Sequence, residues 1–153
     1  MNQGTQANYN GNSLQKFVYN KLLEKGYKYI DRKHFNPARF MEQPIFTDQF
    51  GLCKGISDTD IKCDFILYHP NKHKNCLVIE CKWQESGGSV DEKFPYLVHN
   101  IKERYPYATI IVLDGNGYKK QAEIWLKRQE DPKKLIHVFN MSEFQKWSNS
   151  EDL

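Results

Sequence analysis

Two β-rich runs, Ile61 to Tyr68 and Cys76 to Trp83, flank a polar segment from His69 to Asn75. No other feature constrains the fold as strongly. β-Branched and aromatic residues favour strands, and a polar linker of this length predicts a hairpin. A hairpin needs further sheet or helix to cover it. Ala108 to Leu113 is a short apolar run with the form of a buried strand, and Leu135 to Phe139 predicts another. Tyr27 to Ile30 predicts a short strand, and Pro44-Ile45-Phe46 the start of an extended segment. The stretch from Gly51 to Asp60, rich in Gly, Ser, Thr and Asp, reads as a loop.

Helical spacing fills the gaps. Leu14, Phe17, Val18 and Leu22 recur on one face, Ser13 is a candidate N-cap, and Gly26 stands where a helix-ending glycine belongs. Ser89 is a candidate cap for a helix to Arg104, with Pro95 expected to kink or delay it. Residues 118–129 and a segment capped by Ser142 predict two more helices. Residues 1–12 carry no periodicity and read as a flexible tail before a single domain over 13–153. Antiparallel strands followed by strand–helix–strand imply an α/β fold with a mixed sheet flanked by helices.

Charge and cysteine content narrow the function classes. The formal net charge is +3, mildly basic but no strong nucleic-acid signature. The four cysteines form no CxxC pair and read as reduced thiols. No apolar stretch approaches the roughly 18 residues of a membrane span, and the N-terminus has no apolar signal core. These features predict a cytoplasmic protein that does not enter a membrane.

The chemistry concentrates in Glu80-Cys81-Lys82-Trp83-Gln84. Strand side chains alternate, so Glu80, Lys82 and Gln84 share a face while Cys81 points away. A turn from His69 to Asn75 without a bulge pairs Tyr68 with Cys76 and therefore Asp64 with Glu80. Directly opposed residues have Cβ atoms roughly 4.5–5.5 Å apart. Two carboxylates at that distance repel and call for a cation, and oxygen donors select Mg²⁺ or Mn²⁺. Lys82 then sits beside the metal. A metal that activates water and an ammonium that stabilises developing charge are what phosphodiester hydrolysis needs. The bland alternative is an exposed strand face with a cross-strand charge pair.

At these residues the sequence resembles the PD-(D/E)XK nuclease superfamily, the restriction-endonuclease-like fold shared by many restriction enzymes and Holliday junction resolvases. Its pattern is an Asp on one strand and (D/E)xK on the next within an αβββαβ core. Asp64 and Glu80-Cys81-Lys82 match it, although Cys63 stands where the pattern has Pro. The segment GSVDEKFPYLV, residues 88–98, looks like the helix that follows the motif in some branches. Element order matches through about residue 113, about two-thirds of the chain. The resemblance implies Asp64 and Glu80 as metal ligands, the Cys81 carbonyl as a further ligand, and Lys82 as catalytic. It adds Gln84 as a site residue by similarity to ExKxQ variants. It also implies a Mg²⁺-dependent endonuclease acting on DNA, of restriction or repair type, working as a homodimer. A junction-resolvase-like enzyme and an inactive nucleic-acid-binding protein of the same fold are the alternatives.

Other residues make weaker candidates than this set. Glu24 invites comparison with the helix carboxylate of some superfamily members, but surface solvation is the simpler account. Asp58 and Asp60 lie in the expected loop, and Asp91 and Glu92 complement a helix N-terminus. His69, His73, Cys76 and Cys81 match no zinc spacing. Lys72, Lys74, Lys119, Lys120, Lys127 and Arg128 are candidate phosphate contacts. Arg32, Lys33 and Arg39 precede the hairpin, in a region able to hold base-reading residues.

Overall fold

The hairpin of the sequence lies at the centre of a six-stranded sheet in a computed structural model, which describes residues 3–83, 89–115 and 120–153, with side chains from 13–83, 93–115 and 120–153. The strands are β1 (Lys28–Tyr29), β2 (Ile45–Lys54), β3 (Asp60–His69), β4 (His73–Trp83), β5 (Ala108–Asp114) and β6 (Leu135–Asn140), and they lie side by side in chain order. β2, β3 and β4 are antiparallel, β1 joins β2 in parallel, and β5 and β6 continue in parallel from β4. The helices are α1 (Gln3–Glu24), α2 (Ser89–Glu103), α3 (Lys120–Arg128) and α4 (Met141–Asn149). A mixed α/β sheet between helices is the restriction-endonuclease-like architecture that the motif implied.

Two apolar layers hold the sheet. Leu14, Val18 and Leu22 of α1 and Phe144 of α4 pack on Phe65, Leu67, Leu77, Ile79, Ile110 and Val112. On the other face, Phe94, Leu97, Val98 and Ile101 of α2 and Leu126 of α3 pack on Ile66, Val78, Ile111 and Leu113. Alternation along β4 and β5 explains the division, since each strand is buried on both faces. Val18, Leu22, Ile79 and Ile110 are fully buried, so cutting any of the larger ones back to Ala costs about 2–5 kcal/mol.

Gly26 closes α1 as expected. It has φ 92, its N–H donates to Leu23 O at 3.1 Å, and Tyr27 N–H donates to Leu22 O at 3.0 Å. That pair of bonds is the glycine-dependent ending in which Tyr27 then packs back into the same apolar layer as Leu22.

Several sequence expectations are corrected. Residues 3–12 are helical and extend α1 rather than forming a tail. Their Gln, Ala and Asn content offers no apolar stripe, so periodicity cannot register the extension. Gly51 to Lys54 belongs to β2, and the loop shrinks to 55–59. Leu52 and Cys53 pack against the α2-side core, which overrides the polar composition around them. The hairpin turn is also tighter, because His69 pairs with His73. The surplus residues are absorbed as a bulge ending at Cys76, whose φ is 69. Tyr68 is therefore not paired with Cys76. Pro95 lies inside α2 without ending it, and it is exposed to solvent. α4 is capped by Asn140 in a reciprocal box with Glu143, not by Ser142.

Candidate active site

The expected motif residues converge where β3 and β4 meet. Phe65 pairs with Ile79, Ile66 with Val78 and Leu67 with Leu77, so the next step brings Asp64 beside Glu80. The ladder is then replaced by side-chain bonds. Asp64 N–H donates to Glu80 Oε1 at 2.8 Å, and Cys81 N–H donates to Asp64 Oδ2 at 2.8 Å. Each carboxylate thus takes a backbone donor from the other strand, which ties the two acids together.

The simple alternation argument fails at Asp64. Cys63 shares the α2 face with Ile66 and Tyr68, whereas Phe65 and Leu67 share the α1 face. Strict alternation would group Cys63 with Phe65. β2 slips at the same level, since Phe46 lies on the α1 face and Phe50 on the α2 face. Between them Gln49 adopts φ 47. The pairs Asp48↔Phe65 and Phe50↔Cys63 keep a common register because both strands slip together. Asp64 Oδ1 consequently accepts from Gln15 Nε2 of α1 and from Gln49 Nε2, both at 3.3 Å.

Glu80 and Lys82 keep the shared face that parity predicts. Both line a cleft of about 550 Å³ beside α2, together with Asp60, Lys62, Lys93 and Tyr105. Asp64 is not on that wall. It reaches Glu80 through the strand seam. Glu80 is 3% exposed, and its Oε2 accepts from the Tyr105 hydroxyl at 3.0 Å.

Electrostatics follow from that burial. Loss of solvent pushes Glu80 up from 4.5 to about 7, and the charge of Asp64 adds to the rise. The ammonium of Lys82, the Asp64 N–H and the Tyr105 hydroxyl pull it back. Burial, then the negative charge of Glu80, raises the Tyr105 hydroxyl far above its ordinary range, so it remains a donor. The Cys81 thiol is likewise driven well up by burial, Asp64 and Glu80, and is inert as a nucleophile.

Among the described residues no cation lies within ion-pair distance of Asp64 or Glu80. Two adjacent acids, one of them buried, therefore lack direct compensation. Mg²⁺ is commonly held by one or two carboxylates with water and substrate phosphate completing its shell, and this donor set fits such an ion. Asp64 and Glu80 could hold it, with the Cys81 carbonyl adjacent. Among the described residues no cluster of three or more His, Cys, Asp or Glu forms, which does not fit a structural zinc site.

Other candidates lie elsewhere. Glu24 is 64% exposed at its side chain and pairs with Lys21 at 3.0 Å on the surface of α1. Asp60 stands at the cleft and pairs with Lys54 at 2.6 Å, while Asp58 has φ 59 in the adjoining turn. Lys127 is engaged by Glu143 at 2.8 Å and by Glu123, so it is no open phosphate contact. Lys72 Nζ donates to Leu153 O at 3.0 Å. Lys74, Lys120 and Arg128 are exposed. Gln84 and Lys119 lie outside the described residues, as do the side chains of Asp91 and Glu92. Sequence reasoning missed Gln15, Gln49 and Tyr105. Each reaches the two acids from a different element, at no spacing that periodicity could reveal.

Comparison with known proteins bears on the family of the fold. Residues 6–151 match a family model described as a PD-(D/E)XK nuclease superfamily domain. The match extends past the two-thirds that the motif covers and takes in α3, β6 and α4. No curated protein and no solved structure matches the chain. The match takes in nearly the whole chain, and the chain belongs to the PD-(D/E)XK nuclease superfamily.

Proposed function

We propose that this protein is a metal-dependent endonuclease that hydrolyses DNA phosphodiester bonds in a restriction or repair role. The observation that carries the reading is the buried Glu80 tied to Asp64, with Lys82 on the same cleft wall. Asp64, Glu80 and the Cys81 carbonyl would hold Mg²⁺, with Mn²⁺ able to replace it. When bound, the ion supplies positive charge to the phosphoryl oxygens and makes nearby water more acidic. Lys82 orients the attacking water and stabilises the charge that grows on the phosphoryl group. Gln84, two positions on, is assigned to the site as well. Water oxygen adds to phosphorus, the bond to the leaving sugar oxygen breaks, and that oxygen takes a proton. Lys62 and Lys93 give the cleft positive charge that suits a phosphate backbone. Two copies acting together, one per strand, would cut a duplex.

The test is supercoiled plasmid incubated with Mg²⁺ and wild type, Glu80→Ala or Lys82→Ala. Wild type is expected to nick and linearise the plasmid, and both variants to lose at least about 100-fold in rate. Equal cleavage by all three would reject the site assignment. Preferential cutting of a four-way junction would move the reading to a resolvase, and cutting of duplex RNA alone would reject DNA as substrate.

A further inference from the structure

The surroundings of Glu80 extend the site beyond its motif. Among the described residues the Tyr105 hydroxyl has one hydrogen-bond partner, Glu80 Oε2. The ring is 1% exposed within the apolar layer under α2. A buried hydroxyl is costly unless partnered, and phenylalanine would fill the same space without that cost. Packing alone therefore does not explain the oxygen.

Tyr105 is also firmly mounted. Its N–H donates to Asn100 O at 3.0 Å, and its carbonyl accepts from Lys134 Nζ. Lys134 N–H and Leu135 N–H in turn donate to the Asp131 carboxylate, at 2.7 and 3.1 Å. Asp131 pairs with Lys102 of α2 at 3.7 Å. The end of α2 and the start of β6 thus form one support, and the phenol oxygen is its projection toward Glu80.

We propose that Tyr105 is a positioning residue of the metal site, its hydroxyl fixing the Glu80 carboxylate so that it meets Asp64 in the arrangement a divalent cation requires. Glu80 is held from both sides, Oε1 by the Asp64 N–H and Oε2 by Tyr105. Without the second bond the carboxylate turns about its last side-chain torsion, which is broad and weakly restrained. Tyr105 touches neither water nor phosphate in this role and acts through Glu80. The inference rests on the reading of Glu80 as a metal ligand.

The experiment is a calorimetric Mn²⁺ titration of metal-free protein without DNA, comparing wild type, Tyr105→Phe and Glu80→Gln. Glu80→Gln is expected to abolish the binding that wild type shows. Tyr105→Phe should weaken it about 10–100-fold, the usual loss when a partner of a metal ligand is removed. In cleavage assays at fixed Mn²⁺, kcat should fall with KM for DNA unchanged, and excess Mn²⁺ should restore kcat. A merely structural tyrosine would show neither the weakened titration nor the rescue. Mn²⁺ binding by Tyr105→Phe within about twofold of wild type, with Glu80→Gln inactive in binding, would overturn the positioning role alone. Wild-type binding by Glu80→Gln would overturn the ligand reading and this inference with it.

Discussion

Replacing Glu80 with Gln should stabilise the metal-free protein, and the gain should depend on pH. Glu80 is 3% exposed beside Asp64, and burial followed by that neighbouring charge raises it from 4.5 to about 7. The folded state therefore binds more protons than the unfolded state between those values. In that window stability falls as pH rises. The penalty is absent below about pH 4.5, where Glu80 is protonated in both states, and complete above about pH 7. Each pKa step corresponds to 1.36 kcal/mol, so the full penalty is roughly 3 kcal/mol. For a chain of this size, that translates to about 6–12 °C in Tm. Gln is neutral and nearly isosteric, so its amide oxygen still accepts from Asp64 N–H while the charge disappears. Differential scanning fluorimetry in chelator, from pH 5 to 8, measures the difference between variant and wild type. It should be small at pH 5, about a quarter of its full size, and should grow to its maximum by pH 8. A constant difference across that range, or a destabilised variant at pH 8, would refute the electrostatic account of the site.

Lys82→Met should separate binding from chemistry, keeping Mn²⁺ affinity within a few-fold of wild type in calorimetry while cleavage falls about 100-fold or more. Gly26→Ala should lower stability by about 1 kcal/mol in denaturant titration. Gly26 sits at φ 92 with open space around it, so the cost is conformational and not steric. Gly55→Ala should cost about 1 kcal/mol in the same titration, since the nearest atom is the movable end of Ile61. Its added Cβ would lie 2.8 Å from Ile61 Cδ1 and 3.1 Å from Asn100 Oδ1, the atom that accepts from Ile56 N–H and ties the 55–59 turn to α2.

The sequence made the central hairpin and the shared wall of Glu80 and Lys82 legible because both depend on local alternation. Parity along β4 places Glu80 and Lys82 on one wall, and Cys81 turns into the opposite apolar layer. Counting back from the turn reached the right neighbours, Asp64 and Glu80, although the turn itself is tighter. The bulge at Cys76 takes up the difference before Leu77 pairs with Leu67. Alternation says nothing about coordinated slips, so the change of face at Gln49 and Asp64 was invisible. The contacts of Gln15 and Tyr105 were invisible for a related reason. They join residues 49 and 25 positions apart, and only the docking of α1 and α2 on the sheet brings them together. The helical backbone of residues 3–12 carries no apolar stripe and so left no periodic trace.

The central claim is that Asp64 and Glu80 form a divalent-cation site for phosphodiester hydrolysis. Anomalous diffraction from crystals soaked in Mn²⁺ tests it most directly. The account predicts a peak between the two carboxylates, within bonding distance of both and next to the Cys81 carbonyl. Mn²⁺ bound at another location, with no peak between Asp64 and Glu80, would contradict it.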